Sequence, residues 1–207
     1  MSLILYHHPF SRAATVLWML EEIATDYELR FVDLLSGAHK APELLALNPM
    51  GKLPILTDGD QVITEVAAIG LYLADRYALG RLAPKFDDAQ RGTYLRWSLF
   101  APSVIEPGAT AKMNNWEAKP SQVGWGTAES MLQAIEFAIR GKDYLLGDSF
   151  SMADVIFGGT IRYMLRFKML EPTPALSAYD ERLAARPALQ RAEARNNAVI
   201  QERGIGR

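Results

Sequence analysis

The stretch Leu3-Ile4-Leu5-Tyr6-His7-His8-Pro9-Phe10-Ser11-Arg12-Ala13-Ala14-Thr15-Val16-Leu17 changes its hydrophobic period part-way along, and the change decides how the rest of the chain is read. The apolar run that ends at Leu5 and Tyr6 suits a strand, and His7 to Ser11 is a proline-interrupted loop. Ala13, Val16, Leu17, Leu20 and Ile23 then recur at helical spacing. A strand that feeds directly into a helix is the opening of a crossover between parallel strands. Ser11 sits at the start of that helix, where a hydroxyl can cap backbone N–H groups.

Working outward, Glu28 to Asp33 alternates around Leu29 and Phe31 and supplies the second strand. Pro42 stands where a first helical turn tolerates it, ahead of Leu44, Leu45 and Leu47, and Asn48-Pro49-Met50-Gly51 ends that helix. Leu53 to Thr57 and Val62 to Thr64 are β-rich runs joined by Asp58-Gly59-Asp60-Gln61, which predicts a hairpin. Glu65 to Tyr77 returns to helical spacing through Val66, Ile69, Leu73 and Tyr77. The order βαβαββα is that of a thioredoxin-like domain, expected over residues 1–78. Ala78 to Phe86, with Gly80 and Pro84 and little periodicity, reads as a linker. From Asp87 the chain predicts an all-helical domain, 87–207, of about five helices punctuated by proline and glycine. The clearest helix start there is Phe150-Ser151-Met152-Ala153-Asp154-Val155, a capping box with its apolar staple.

The 207 residues are 49% hydrophobic and 22% charged, which describes a folded globular chain rather than a disordered one. Basic and acidic residues number 22 and 24, leaving a net charge of −2 and no excess of the kind that neutralises phosphate backbones, so no nucleic-acid partner is expected. No run approaches the roughly 18 to 20 apolar residues that span a bilayer, and the first residues lack a basic leader, so no membrane partner and a cytoplasmic address are expected. Cysteine is absent, which removes disulfides, thiolate metal ligands and a protein thiol nucleophile. His7 and His8 have no third partner at a recognisable metal-ligand spacing, so no metal site is expected.

Five segments together resemble the cytosolic glutathione S-transferase superfamily, in particular its bacterial, serine-type members, over nearly the whole chain. Leu5 to Arg12 resembles the first strand and catalytic loop of that family, and Asn48 to Leu56 its cis-proline segment. Ile63 to Ile69 resembles its glutamyl-binding turn, Tyr144 to Asp154 its helix-capping motif, and Arg186-Pro187-Ala188-Leu189 a feature near its C-terminus. The resemblance implies the glutathione transferase fold: a thioredoxin-like domain that binds glutathione and an all-α bundle that contributes the hydrophobic substrate site. It implies glutathione as co-substrate, a small hydrophobic electrophile as acceptor, a detoxifying role and a homodimer.

The chemistry such an enzyme needs is an ionised sulfur. A free thiol, pKa about 8.5, is only a few per cent thiolate at neutral pH, and lowering it by about two units takes about 2.7 kcal/mol of preference for the anion. A hydroxyl donor together with a helix N-terminus supplies energies of that order. The resemblance implies that Ser11 is the donor, while the residues alone read equally as a helix cap; Tyr6, at the end of the first strand, is the rival donor. The resemblance further implies that Pro54 is cis and turns the Leu53 backbone outward to pair with the tripeptide, that His39, Lys40 and Lys52 serve its glycine carboxylate, and that Glu65 takes its γ-glutamyl ammonium. Here the chain departs from the family pattern: Val66 stands in place of the customary serine, keeping a backbone N–H but offering no hydroxyl.

For the electrophile, Tyr94, Trp97 and Phe100 fall close together on the first helix after the linker and, with Phe10, could form an apolar wall; any single one of the three reads more readily as bundle core. Trp116 and Trp125 lie in a proline- and glycine-punctuated segment whose role the residues leave open. The competing reading, which Val66 favours, is a non-catalytic protein of the same fold that carries ligands or binds partners.

Overall fold

A computed structural model of the chain describes residues 3–205. The parts of the expected first strand and domains that fall on Met1, Ser2, Gly206 and Arg207 lie outside the described residues. In chain order the elements are β1 (Leu3–His7), α1 (Ala13–Ile23), β2 (Tyr27–Phe31), α2 (Pro42–Leu47), β3 (Ile55–Asp58), β4 (Gln61–Thr64), α3 (Val66–Tyr77), α4 (Arg91–Phe100), α5 (Glu106–Met113), α6 (Ala128–Ile139), α7 (Met152–Arg166), α8 (Pro174–Ala184) and α9 (Pro187–Arg203). They group into two compact units, one of residues 1–77 with 186–207 and the other of 78–185.

In the first unit the strands form one sheet in the order β2-β1-β3-β4. β1 and β2 run parallel, as a crossover through α1 requires, and β3 runs antiparallel to both of its neighbours. Alternation along β1 buries Leu3, Leu5 and His7 on one face and directs Tyr6 to the other, where it packs with Val32, Leu44 and Ile55. Asp58, its side chain fully buried, accepts from the hydroxyls of Tyr72 at 2.8 Å and Tyr77 at 2.5 Å and pairs with Arg76 at 3.0 Å. That cluster ties the β3–β4 hairpin to the last turns of α3.

The last helix differs from the expectation that 87–207 is one body, because α9 packs on α1. The cause is electrostatic as well as apolar. Glu21 and Glu22 of α1 are almost fully buried, and each needs a cation. Arg186 meets Glu22 through two N–H···O bonds, 2.7 and 2.8 Å, and Arg191 and Arg195 meet Glu21 at 2.8 and 3.0 Å. Burial raises the Glu21 pKa, but the Tyr27 hydroxyl and the two arginines more than offset it, so the carboxyl is held below its usual range.

The second unit is helical. The expected linker packs within it instead of tethering: Leu82 and Ala83 are buried, and the Leu82 carbonyl accepts from Met152 N–H at 2.7 Å. Among the described residues six α-helices follow Asp87, one of them α9, against the expected five or so. The difference arises at Pro102 and Pro107, which do not end the helical course. A π-turn over Ala101–Ile105, closed by Glu106 N–H to the Ala101 carbonyl, absorbs Pro102, and Pro107 sits in the first turn of α5, where its missing N–H costs nothing. Gly158 of α7 lies so close to Leu183 of α8 that any Cβ would collide with that side chain.

Candidate active site

The strand register brings the expected site segments of the first unit to one end of the sheet. Tyr6 stands opposite Ile55, and Ile55 opposite Thr64. The loop leaving β1 at His8, the segment entering β3 at Leu53-Pro54, and the turn leaving β4 at Glu65 therefore emerge together.

In the first loop, the His8 carbonyl accepts twice from Ser11, from its N–H at 3.0 Å and its hydroxyl at 2.8 Å. The Ser11 oxygen in turn accepts from Ala13 N–H at 3.2 Å, so Ser11, one residue before the Arg12 N-cap, takes up an N–H of the first turn of α1 while remaining half exposed. Its hydroxyl proton is held only by a neutral carbonyl, a bond that a charged acceptor can displace. Tyr6 is differently placed. Its hydroxyl accepts from Arg30 at 3.2 Å, and Arg30 is paired with Glu28, all beside the α2-side cluster. His7, the next residue, points the other way, to α9 and hence the α1 side. The alternation that puts His7 with α1 thus puts the Tyr6 hydroxyl on the opposite face from the helix that carries Ser11.

His7 is fully buried, and its Nε2 lies 2.6 Å from Asn196 Oδ1 of α9. Burial, with His8 as a neighbouring ring, lowers its pKa to about 4, although the Asn196 bond pulls the other way. His8 is also buried, its pKa lowered by burial against the pull of Asp33. Its Nδ1 accepts from Phe10 N–H at 3.2 Å, and its ring lies between those of Phe10 and Phe31, with centroids 5.8 and 5.6 Å away. Phe10 itself is half-buried. Among the described residues, no three His, Asp or Glu side chains cluster as metal ligands would.

The second segment holds a cis Leu53-Pro54 peptide with Leu53 half-buried and Pro54 buried. Asn48, 4% exposed, folds the approach to it: its amide donates to the Lys52 carbonyl at 2.9 Å and accepts from Met50 N–H at 3.1 Å. Sequence reasoning took Asn48 only as a helix terminator; an Asn before Pro and Gly was the available signal for a loop-shaping side chain. Gly51 takes the left-handed φ of +58° that this turn requires, and a Cβ there would press on Leu45 Cδ2 at 3.2 Å while lying at ordinary contact distance from the His39–Lys40 turn. Lys40 and Lys52 are exposed on neighbouring loops, with His39 half-buried beside them.

The third segment contains a strained residue. Glu65 is exposed and has φ +66°, a conformation that costs a residue with a Cβ about 1–2 kcal/mol. α3 begins after it, at Val66, so the carboxylate stands just before a helix N-terminus, and the half-buried Val66 contributes an N–H of the first turn.

In the helical unit the expected aromatic wall is corrected. Tyr94 and Trp97 are 0% and 2% exposed, and the Trp97 ring meets Phe157 edge-on at 6.0 Å, so both are core residues of the bundle. Of the trio only Phe100, at 5.2 Å from Trp97, keeps surface. Trp116 is exposed, whereas Trp125 packs against Gly108.

Residues 1–75 match the family model for the N-terminal domain of glutathione S-transferase, and residues 125–187 match the model for its C-terminal domain. Glutathione S-transferase 3 of Zea mays is 32% identical over 205 residues, spanning 90% of this chain and 91% of its own. The chain belongs to the glutathione S-transferase family. Glutathione S-transferase 2 of Schizosaccharomyces pombe is 31% identical, with 84% of this chain and 87% of that protein covered. Among solved structures, a glutathione transferase from Methylococcus capsulatus superposes on this transferase with a TM-score of 0.79 at 29% identity, over 95% and 99% of the two chains. The bacterial transferase BphK, solved as a ternary complex, does so with a TM-score of 0.78 at 26% identity, over 94% and 98%. With relatives from maize, fission yeast and bacteria, the similarity does not single out the bacterial branch named above.

Proposed function

We propose that this transferase binds glutathione at the sheet end formed by Ser11, Leu53-Pro54 and Glu65, and that Ser11 stabilises its thiolate for attack on a small hydrophobic electrophile. The observation that carries the reading is the Ser11 hydroxyl, half exposed at the N-terminus of α1 and held only by the His8 carbonyl. Ser11 exchanges that neutral acceptor for the sulfur anion. A charged acceptor is favoured over a neutral one by about 1 kcal/mol, and the helix N-terminus adds about 0.3–1 kcal/mol, together about one to one and a half pH units of thiol acidification.

The remaining contacts follow from charge and backbone. The Leu53 backbone pairs with the cysteinyl part of the tripeptide like an added strand. Lys40, Lys52 and His39 face the glycine carboxylate, and Glu65 the γ-glutamyl ammonium, with Val66 N–H for the adjacent carboxylate. The strained φ of Glu65 supports that role, since a structural residue there gains nothing from the conformation. Phe10, next to Ser11, is the apolar side chain an electrophile would meet, and Phe100 keeps surface in the helical unit. The protein is proposed to act as a homodimer, to which the exposed Met50 and Val62 could contribute apolar surface, and as a cytoplasmic enzyme without nucleic-acid or membrane partners. The net charge of −2 supports the nucleic-acid part of that reading, and among the described residues no helix is long and apolar enough to cross a membrane.

Titration of bound glutathione, followed by thiolate ultraviolet absorbance, tests the reading. A bound thiol about one to one and a half units more acidic than free glutathione, moved back toward the free value by Ser11→Ala, is expected. Val66 favours one alternative, a ligand carrier without catalysis. Binding with an unshifted thiol would select that alternative.

A further inference from the structure

α9 touches the ends of β1 and β2, beside the Ser11 loop, at two points. Asn196 Oδ1 lies 2.6 Å from His7 Nε2, across 189 residues of sequence, and the Arg203 guanidinium lies 5.0 Å over the ring of Phe31, which packs against His8. Other contacts also hold the helix in place. The ion pairs of Arg186 with Glu22, and of Arg191 and Arg195 with Glu21, do that from earlier turns of α9.

The Asn196 contact ends one peptide from the atom that holds Ser11. The His7 carbonyl is tied into the sheet, accepting from Val32 N–H at 2.8 Å, and the next carbonyl, that of His8, accepts both the N–H and the hydroxyl of Ser11. The His7 ring is fully buried and its Nδ1 has no hydrogen-bond partner. Among the described residues Asn196 is therefore the polar group that satisfies this ring, and without it both ring nitrogens would be unsatisfied in a dry site. A ring in that state turns or repacks, and the His8 peptide plane moves with its Cα.

We propose that Asn196 is a positioning residue for Ser11, acting through the His7 ring and the His8 carbonyl, so that the C-terminal helix sets the aim of the hydroxyl that stabilises the thiolate. The inference rests on the Ser11 reading above. Hydrogen bonds weaken steeply with angle, and a small misplacement of a donor has a large cost in rate, so a substitution at α9 is felt at the sulfur without touching it. The titratable neighbours of the His7 ring are His8 and, next to that, Asp33, and both stay in place in the variants used.

The test is the ultraviolet titration of glutathione bound to the full-length protein. Asn196→Leu, nearly isosteric without the acceptor, is expected to raise the bound-thiol pKa by about one unit while the glutathione Kd changes less than about twofold. Asn196→Gln, which keeps an uncharged amide acceptor for Nε2–H, is expected to restore part of the parental value. Asn197→Leu, an exposed neighbour on the same helix, is expected to change nothing. In a Ser11→Ala background Asn196→Leu is expected to add no further shift, because the two act in series. If Asn196→Leu does not accumulate as folded protein, Asn196→Ser is read in its place. A parental titration in the folded Asn196 variant, with Ser11→Ala still shifting it, overturns this inference alone. Shifts from the two variants that add independently overturn the route through Ser11. Silence of both variants overturns the Ser11 reading as well.

Discussion

Two serines stand just before helices in this transferase, and their surroundings differ in how firmly each hydroxyl proton is held. Ser151 starts α7, is 2% exposed, and gives its N–H at 2.9 Å and its hydroxyl at 3.0 Å to Asp154, closing a capping box. Asp154 is fully buried and also accepts from Leu145 N–H at 2.8 Å and the Tyr179 hydroxyl at 2.9 Å. Burial pushes its pKa up against the pull of those four donors. Ser11 starts α1, is half exposed, and spends its proton on a neutral carbonyl. A serine whose proton is committed to a buried carboxylate is a rivet. One whose proton is loosely held beside a helix N-terminus is a donor available to an anion.

The comparison can be broken most severely at Asp154. Asp154→Ala should cost about 3–5 kcal/mol, because it strands the Leu145 and Ser151 N–H groups and the Tyr179 hydroxyl in the core; a denaturant midpoint measures it. Acid should weaken the Ser11 side next. His7 is neutral in the fold with a pKa near 4 against an ordinary value of 6.5, so the unfolded chain takes up the proton first as pH falls. Stability contributed by the neutral ring is complete above about pH 6.5 and is lost progressively toward pH 4, roughly 3 kcal/mol in all. Urea titrations across that interval should show the slope, and His7→Asn should flatten it. Glu21, whose pKa is depressed, adds its own loss only as pH falls below its ordinary value of 4.5.

Swapping each serine for alanine sharpens the contrast. Ser151→Ala should lower stability by about 1–2 kcal/mol. Ser11→Ala should leave stability within about 1 kcal/mol yet raise the bound-thiol pKa by about one unit or more. Val66→Ser should tighten glutathione binding about tenfold by calorimetry, since it restores a hydrogen bond to a charged group, worth about 1.5 kcal/mol or more. The smallest effect is expected at Glu65. Glu65→Gly should raise stability by about 1 kcal/mol through relief of the positive φ, less what the freer unfolded chain takes back, while weakening glutathione binding. A variant that lost both stability and binding would mean that Glu65 is architectural.

Much of this was legible in the residues because it is local. The period change at Leu3 to Leu17, the Asp58 to Gln61 hairpin and the Ser151–Asp154 box each involve groups within a few residues, where backbone geometry leaves few alternatives. Other features were not legible. Tyr94 and Trp97 have the same helical spacing whether they line a surface or fill a core, and only the neighbouring α7 settles which. Pro102 and Pro107 look like helix ends, because nothing local announces a π-turn that can absorb one of them.

By itself, then, the sequence determined the element order through α3, the serine at the head of α1 and the family of segments around it, because propensity, capping and turn chemistry act over a few residues. Only the tertiary structure decided that α9 belongs with the sheet, that Tyr6 turns away from the α1 face, and that Asn196 meets His7. Those outcomes depend on burial: Glu21, Glu22 and His7 are polar groups taken out of water, and each must find its partner wherever the folded chain brings one.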